Sequence, residues 1–147
     1  MSDSAVEILL VEDNPNDVEL ALHAFRKNGL SSRIQVARDG AEALDFLFHS
    51  ASFAGLSSDD HPKVILLDLK LPKVDGIEVL RQLKANPLTR KLPVVVLTSS
   101  RQDKDIDQCY ALGANSYMVK PIDFEEFTTA VSILSTYWLF YNQTPSR

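Results

Sequence analysis

The chain has one cysteine, Cys109, so it cannot close an intrachain disulfide, and a small secreted fold held by disulfides is excluded. It has no long apolar stretch either. Runs such as 64–67 and 94–97 fall far short of the roughly 20 residues that a bilayer-spanning helix needs, and no membrane insertion is expected. The opening MSDSAVEILL lacks a basic segment followed by an extended apolar one, which argues against an export signal and for a cytoplasmic location. Basic residues are in the minority, 15 against 20 acidic. With a net charge of −5 and no Lys/Arg cluster, a surface for nucleic-acid phosphates is not expected. Glycines number five and build no Gly-rich loop of the kind that cradles ATP, which excludes a kinase. The histidines His23, His49 and His61 follow no metal-ligand spacing and read as surface or helix-edge residues.

What the chain does have is 45% hydrophobic and 24% charged content over 147 residues, enough for one domain with an ordinary core. That domain is expected to span 1–147, with its core at about 6–141 and a flexible tail at 142–147. Short Val/Ile/Leu runs at 7–11, 33–37, 64–67, 94–97 and 116–119 alternate with segments of helical period, the pattern of a parallel sheet covered on both faces. Helix-start signals stand where they should: Asn14-Pro15, Asp39-Gly40, Asp75-Gly76 and Asp123. Right-handed crossovers then give an α/β fold with a five-stranded doubly wound sheet in the flavodoxin-like order 2-1-3-4-5. The Ser- and Asp-rich segment 49–61 is expected to be a mobile loop or a frayed helix end, and Cys109 a small packing residue on the fourth helix.

In such a sheet the ligand site lies beyond the carboxyl ends of the strands, near the point where strand order reverses. That rule selects Glu12, Asp13 and Asn14 after the first strand, Asp68 after the third, Thr98 to Ser100 after the fourth, and Lys120-Pro121 after the fifth. Three carboxylates brought that close repel one another unless something positive joins them. Lys120 supplies one positive charge, and a hard divalent cation with oxygen ligands, Mg²⁺ best of all, supplies another. The acidic pair after the first strand disfavours a bound mononucleotide. Beside a metal, Asp68 can act as a nucleophile toward phosphorus, with Thr98 and Lys120 binding the oxygens of the transferred group.

The motifs I-L-L-V-E-D-N at 8–14, L-D-L-K-L-P-K-V-D-G at 67–76, V-V-L-T-S-S at 95–100 and Y-M-V-K-P at 117–121 resemble the response-regulator receiver family over nearly the whole chain. Their order and separations match as well: 55 residues from Asp13 to Asp68 (68 − 13), 30 from Asp68 to Thr98 (98 − 68) and 22 from Thr98 to Lys120 (120 − 98). The resemblance implies that Asp68 is the phosphoacceptor of a two-component system. It further implies that Glu12, Asp13, Asp68 and the backbone carbonyl of Lys70 hold Mg²⁺, and that Thr98 and Tyr117 form a switch pair. It also implies a frequent cis bond at Lys120-Pro121. Leu71, where the family more often has Met, is a conservative packing change, and Lys70 and Ser100 occupy positions associated with phosphoryl lifetime.

On the last predicted helix Phe124, Phe127, Val131, Leu134 and Trp138 form an apolar stripe assigned to the core. Ile133, Tyr137, Phe140 and Tyr141 lie off that stripe and are expected to make a homodimer or partner contact. This ending is similar to that of response regulators paired with cyanobacterial and other bacterial phytochromes. The resemblance then implies a stand-alone, homodimeric signalling protein that is phosphorylated by a sensor histidine kinase of phytochrome type and catalyses only its own phosphorylation and dephosphorylation. Two alternatives are weighed against it. An Asp-nucleophile phosphatase of the haloacid-dehalogenase kind needs a second acid two positions after the nucleophile, where this chain has Lys70. A receiver-like binding module acting without phosphorylation would not require the intact acidic site.

Overall fold

The computed structural model describes residues 6–30, 33–52 and 61–145. Strands β1 (Ile8–Val11), β2 (Ile34–Ala37), β3 (Val64–Leu67), β4 (Val94–Thr98) and β5 (Ser116–Val119) alternate with helices α1 (Pro15–Lys27), α2 (Gly40–Ser52), α3 (Gly76–Ala85), α4 (Asp103–Leu112) and α5 (Phe124–Thr136). The strands form one parallel sheet in the order β2-β1-β3-β4-β5, the doubly wound arrangement expected from the alternation of elements. Each of the three central strands is buried along its whole length. Leu9, Val11, Ile65, Leu67 and Val96 pack on one face with Leu47, Leu80, Leu83 and Cys109 of α2, α3 and α4. Ile8, Leu10, Val64, Leu66 and Val95 pack on the other with Phe25 of α1 and Phe127 and Val131 of α5. The side-chain period of two therefore feeds two cores, which is why these strands read as unbroken apolar runs.

Local chemistry sets the helix starts. The Asn14 carboxamide oxygen accepts the N–H groups of Asn16 and Asp17, the Asp75 carboxylate accepts that of Glu78, and the Asp123 carboxylate that of Glu126. Helix α4 stops at Gly113, whose φ of 110° suits a residue without a Cβ. The half-buried Lys84 ties three segments together, its ammonium donating to the carbonyls of Arg90 and Leu92 and to the Asn115 side chain. No helix among the described residues is long and apolar enough to cross a membrane.

Helix α2 continues to Ser52, so the 49–61 segment begins as a helix end, one of the two readings of its sequence, while 53–60 lie outside the described residues, as do 146 and 147 of the tail. Three details depart from the sequence reading. His61 is buried rather than superficial, because it leads directly into β3, the middle strand. Phe124 is exposed rather than in the core: it is the first residue of α5, at the carboxyl edge where the strands have already ended. Past Thr136 the last helix widens into a π-helical turn over Tyr137–Tyr141, closed by the Asn142 N–H on the Tyr137 carbonyl at 2.7 Å, and this turn buries Leu139.

One glycine fixes the loop after β3. The Gly76 N–H donates to the Leu69 carbonyl at 2.8 Å. A Cβ on Gly76 would run into the Asp68 carbonyl oxygen and stand 2.6 Å from Leu69 Cα. Gly76→Ala is expected to lower stability in urea unfolding by on the order of 1–3 kcal/mol, the usual cost of overpacking against an immovable neighbour. A midpoint equal to the parent's would mean that this backbone yields.

Candidate functional site

Register brings the polar strand ends together. Val11 lies beside Leu67, so Glu12 and Asp68 leave neighbouring strands at one level; Leu67 lies beside Val96 and Thr98 beside Val119, so Lys120 leaves β5 two residues farther along, on the other side of β4. Backbone bonds hold them there: Asp68 N–H to the Val11 carbonyl at 3.0 Å, Glu12 N–H to the Ala37 carbonyl at 2.9 Å, and Lys120 N–H to the Thr98 carbonyl at 2.7 Å. Glu12, Asp13 and Asp68 each bring a carboxylate oxygen within 4.8 Å of the other two, with Glu12 and Asp68 buried and Asp13 exposed. The Lys120 ammonium reaches Glu12 Oε1 at 2.6 Å, Asp17 Oδ2 at 2.8 Å and Asp68 Oδ2 at 3.2 Å. The other Asp68 oxygen accepts the Leu69 N–H at 2.7 Å.

The electrostatics follow from burial and from the count of charges. Burial drives the Glu12 carboxyl up to about 7; the Lys120 hydrogen bond lowers it only in part, and the Asp68 charge raises it again. Burial alone would pull the Lys120 ammonium down, but hydrogen bonds to Asp17 and Glu12 and the charge of Asp68 hold it well above the ordinary lysine value. Lys120 therefore remains a cation, and the four carboxylates Glu12, Asp13, Asp17 and Asp68 outnumber it. A trio of hard oxygen ligands with charge still uncompensated fits a small divalent cation, which would remove the penalty on ionised Glu12. Lys70 is exposed beside the trio, lining a cavity of about 390 Å³ with Asp13, Pro72, Asp75 and Ser100.

Thr98 is buried at the end of β4, and its hydroxyl oxygen accepts the Ser100 N–H at 3.4 Å. The Tyr117 hydroxyl donates to the Ser100 carbonyl at 3.0 Å, and burial raises the phenol above its usual value. The Ser100 hydroxyl in turn donates to Asp105 at 2.6 Å. Ser100 thus joins the two residues of the expected switch pair to α4. The Lys120-Pro121 bond is trans, contrary to what the family resemblance suggests. Ile133, Tyr137, Phe140 and Tyr141 are not part of this cluster. They are exposed along the far turns of the last helix, away from the strand ends where α5 begins.

Sequence reasoning singled out Glu12, Asp13, Asp68, Thr98 and Lys120, of which the structure brings Glu12, Asp13, Asp68 and Lys120 together; it missed Asp17, the third partner of Lys120. The available signal was its spacing: Asp17 lies one helical turn beyond Asp13, on a helix whose start Asn14 already fixes. Asp105 was missed because its link to Ser100 runs from α4 back into the preceding loop.

Comparison with known proteins agrees with this geometry. The response regulator receiver domain family matches residues 8–132. Among curated proteins, the chain is 45% identical to the "Probable methanogenesis regulatory protein FilR2" of Methanothrix harundinacea, covering 94% of this chain and 86% of that protein. Among solved structures, it is similar to the phosphorylated cyanobacterial phytochrome response regulator RcpA, at 36% identity and a TM-score of 0.85, covering 97% of this chain and 99% of the other. The Mn²⁺-bound form of response regulator Rcp1 of Synechocystis sp. matches at 34% identity and a TM-score of 0.83, covering 96% and 99%. A parallel sheet in the order 2-1-3-4-5 with an acidic trio and a lysine at its carboxyl edge, matched by that family over most of its length, shows that the chain belongs to the response regulator receiver domain family.

Proposed function

We propose that the protein is a phosphoacceptor response regulator whose chemistry is confined to its own Asp68. The observation that carries this reading is the setting of Asp68: a buried carboxylate at the end of β3, beside Glu12 and Asp13 and 3.2 Å from the Lys120 ammonium. Asp68 attacks phosphorus with a carboxylate oxygen; a P–O bond forms as the P–N bond of a kinase phosphohistidine breaks, and the imidazole leaves with the electron pair. Lys120 and the Thr98 hydroxyl donate to the oxygens of the transferred group. Mg²⁺, held by Glu12, Asp13, Asp68 and the Lys70 carbonyl, would supply neutralisation of the phosphate charge. Water later attacks phosphorus; its oxygen forms the new P–O bond as the bond to Asp68 breaks, inorganic phosphate leaves and Asp68 is again a free carboxylate.

Phosphorylation adds charge and three acceptor oxygens at Asp68, at the end of the strand next to the one that carries Thr98 and leads into its network with Ser100 and Tyr117. The signal leaves through the face of α4, β5 and α5 as that network rearranges, and changes protein–protein interactions in the cytoplasm. The donor is a sensor histidine kinase of phytochrome type, a reading supported by the similarity to a phytochrome response regulator along nearly the whole chain. The protein pairs with a second copy through Ile133, Tyr137, Phe140 and Tyr141, which are 61, 48, 58 and 71% exposed, more apolar surface than a lone domain leaves in water on one short segment.

Three measurements test these points. Intact mass after incubation with a divalent metal salt and acetyl phosphate should gain a labile phosphoryl group, absent in Asp68→Asn; no adduct in a folded parent with several donors would favour a module that works unphosphorylated. MgCl₂ at ten times its dissociation constant should stabilise the parent by about 1.4 kcal/mol, raising its melting temperature by about 3–5 °C, and Asp13→Asn should lose that shift. Tyr137→Glu combined with Phe140→Glu should sediment as a monomer where the parent is a dimer; identical profiles would remove the interface.

A further inference from the structure

A lysine ammonium has three N–H donors, and at Lys120 three carboxylates take all of them, Glu12 at 2.6 Å, Asp17 at 2.8 Å and Asp68 at 3.2 Å. Glu12 and Asp68 belong to the acidic trio, whereas Asp17 stands on the first turn of α1, outside it. The helix start does not depend on the Asp17 side chain, because Asn14 accepts the N–H groups of both Asn16 and Asp17. Asp17 is also the most open of the three partners, its side chain 24% exposed against 4% for Glu12 and 9% for Asp68.

We propose that Asp17 is a positioning residue that holds back one Lys120 donor and keeps a negative charge at the rim of the site, and so slows phosphoryl capture by Asp68. This rests on the phosphoacceptor reading above. Lys120 does not need Asp17 to stay in place, since the buried Glu12 and Asp68 hold the ammonium from two other sides. What Asp17 adds is an occupant for the last donor. An incoming phosphoryl group presents several acceptor oxygens, and Lys120 can bind one only by releasing a carboxylate. Glu12 and Asp68 are the inner partners, so the donor that Asp17 occupies is the one nearest the solvent from which the phosphodonor arrives. The phosphodonor is itself an anion, and a carboxylate a few ångströms from its path repels it. Asp17 thereby tunes the rate at which Asp68 is labelled through Lys120 and through its own charge, without touching the transferred group.

The rate of adduct formation from acetyl phosphate, in which Asp68 gains the P–O bond and acetate leaves with the electron pair of the broken one, reads the effect directly. Asp17→Ala, which removes both the charge and the acceptor, should label at least about threefold faster than the parent, as expected for one unit charge near a phosphate dianion under partial screening. Asp17→Asn, which keeps an acceptor oxygen, should give a smaller rise, and Asp17→Glu should return the parent's rate. Thermal melts of all variants check that each is folded. A parent that labels while a folded Asp17→Ala is no faster, or slower, overturns the inference alone; a parent that never labels overturns the reading of the site on which it stands.

Discussion

The Lys120 ammonium is the centre on which the carboxyl edge of this sheet depends. Glu12 and Asp68 are buried acids, and Asp17 and Asp13 add two more negative charges at the same edge. Without a cation among them, Coulomb repulsion in a partly dry pocket would force protons onto some of these groups or push the loops apart. Lys120 reaches three of the four through a side chain that is almost wholly covered. The pairing is long range in sequence, 52 residues to Asp68 and 103 to Asp17, so it also couples the first, third and fifth strand ends of the sheet. A site built in this way responds to any added charge, because one cation is already shared among competing anions.

The rest of the fold serves to bring those ends together. Parallel pairing ends β1 and β3 at one level and β4 and β5 two residues beyond it, and buried apolar side chains on both faces lock that register. Gly76 allows the start of α3 to press against the backbone just after Asp68, closer than any Cβ permits. Polar loops are then the only places left for chemistry, which is why Ser100 can link Thr98, Tyr117 and Asp105 within a few residues of the sheet. Relatives of this chain include proteins named for methanogenesis regulation and for phytochrome response.

Strand number, strand order and the trio with its lysine were legible because each depends on a short, strongly patterned stretch. An apolar run such as 64–67, followed by Asp, marks a strand covered on both faces of a parallel sheet. The misreadings have a common cause, which is that a local pattern does not say where an element sits against its neighbours. Phe124 fits the helical period of the core stripe, but period gives only the face, and the first turn of α5 projects past the strands. His61 looks like part of a polar loop, yet it lies where that loop meets the central strand. The π-helical turn at Tyr137–Tyr141 has no local signature, since it arises where the helix end adjusts to bury Leu139 in its closing turn.

The sequence by itself determined the α/β class, the order of elements, the helix caps and the acids and base offered at the strand ends, because all of these follow from hydrophobic period and from side chains acting on their own backbone. Only the tertiary structure decided which of those groups share a proton or a charge. Spacing puts Asp17 on the first turn of α1, but that its carboxylate meets Lys120, that Tyr117 finds the Ser100 carbonyl and that Asp105 takes the Ser100 hydroxyl are decided by distances in the folded chain. Partnership among charges depends on separation and burial in three dimensions, and those are fixed only when the register and both helix layers are in place.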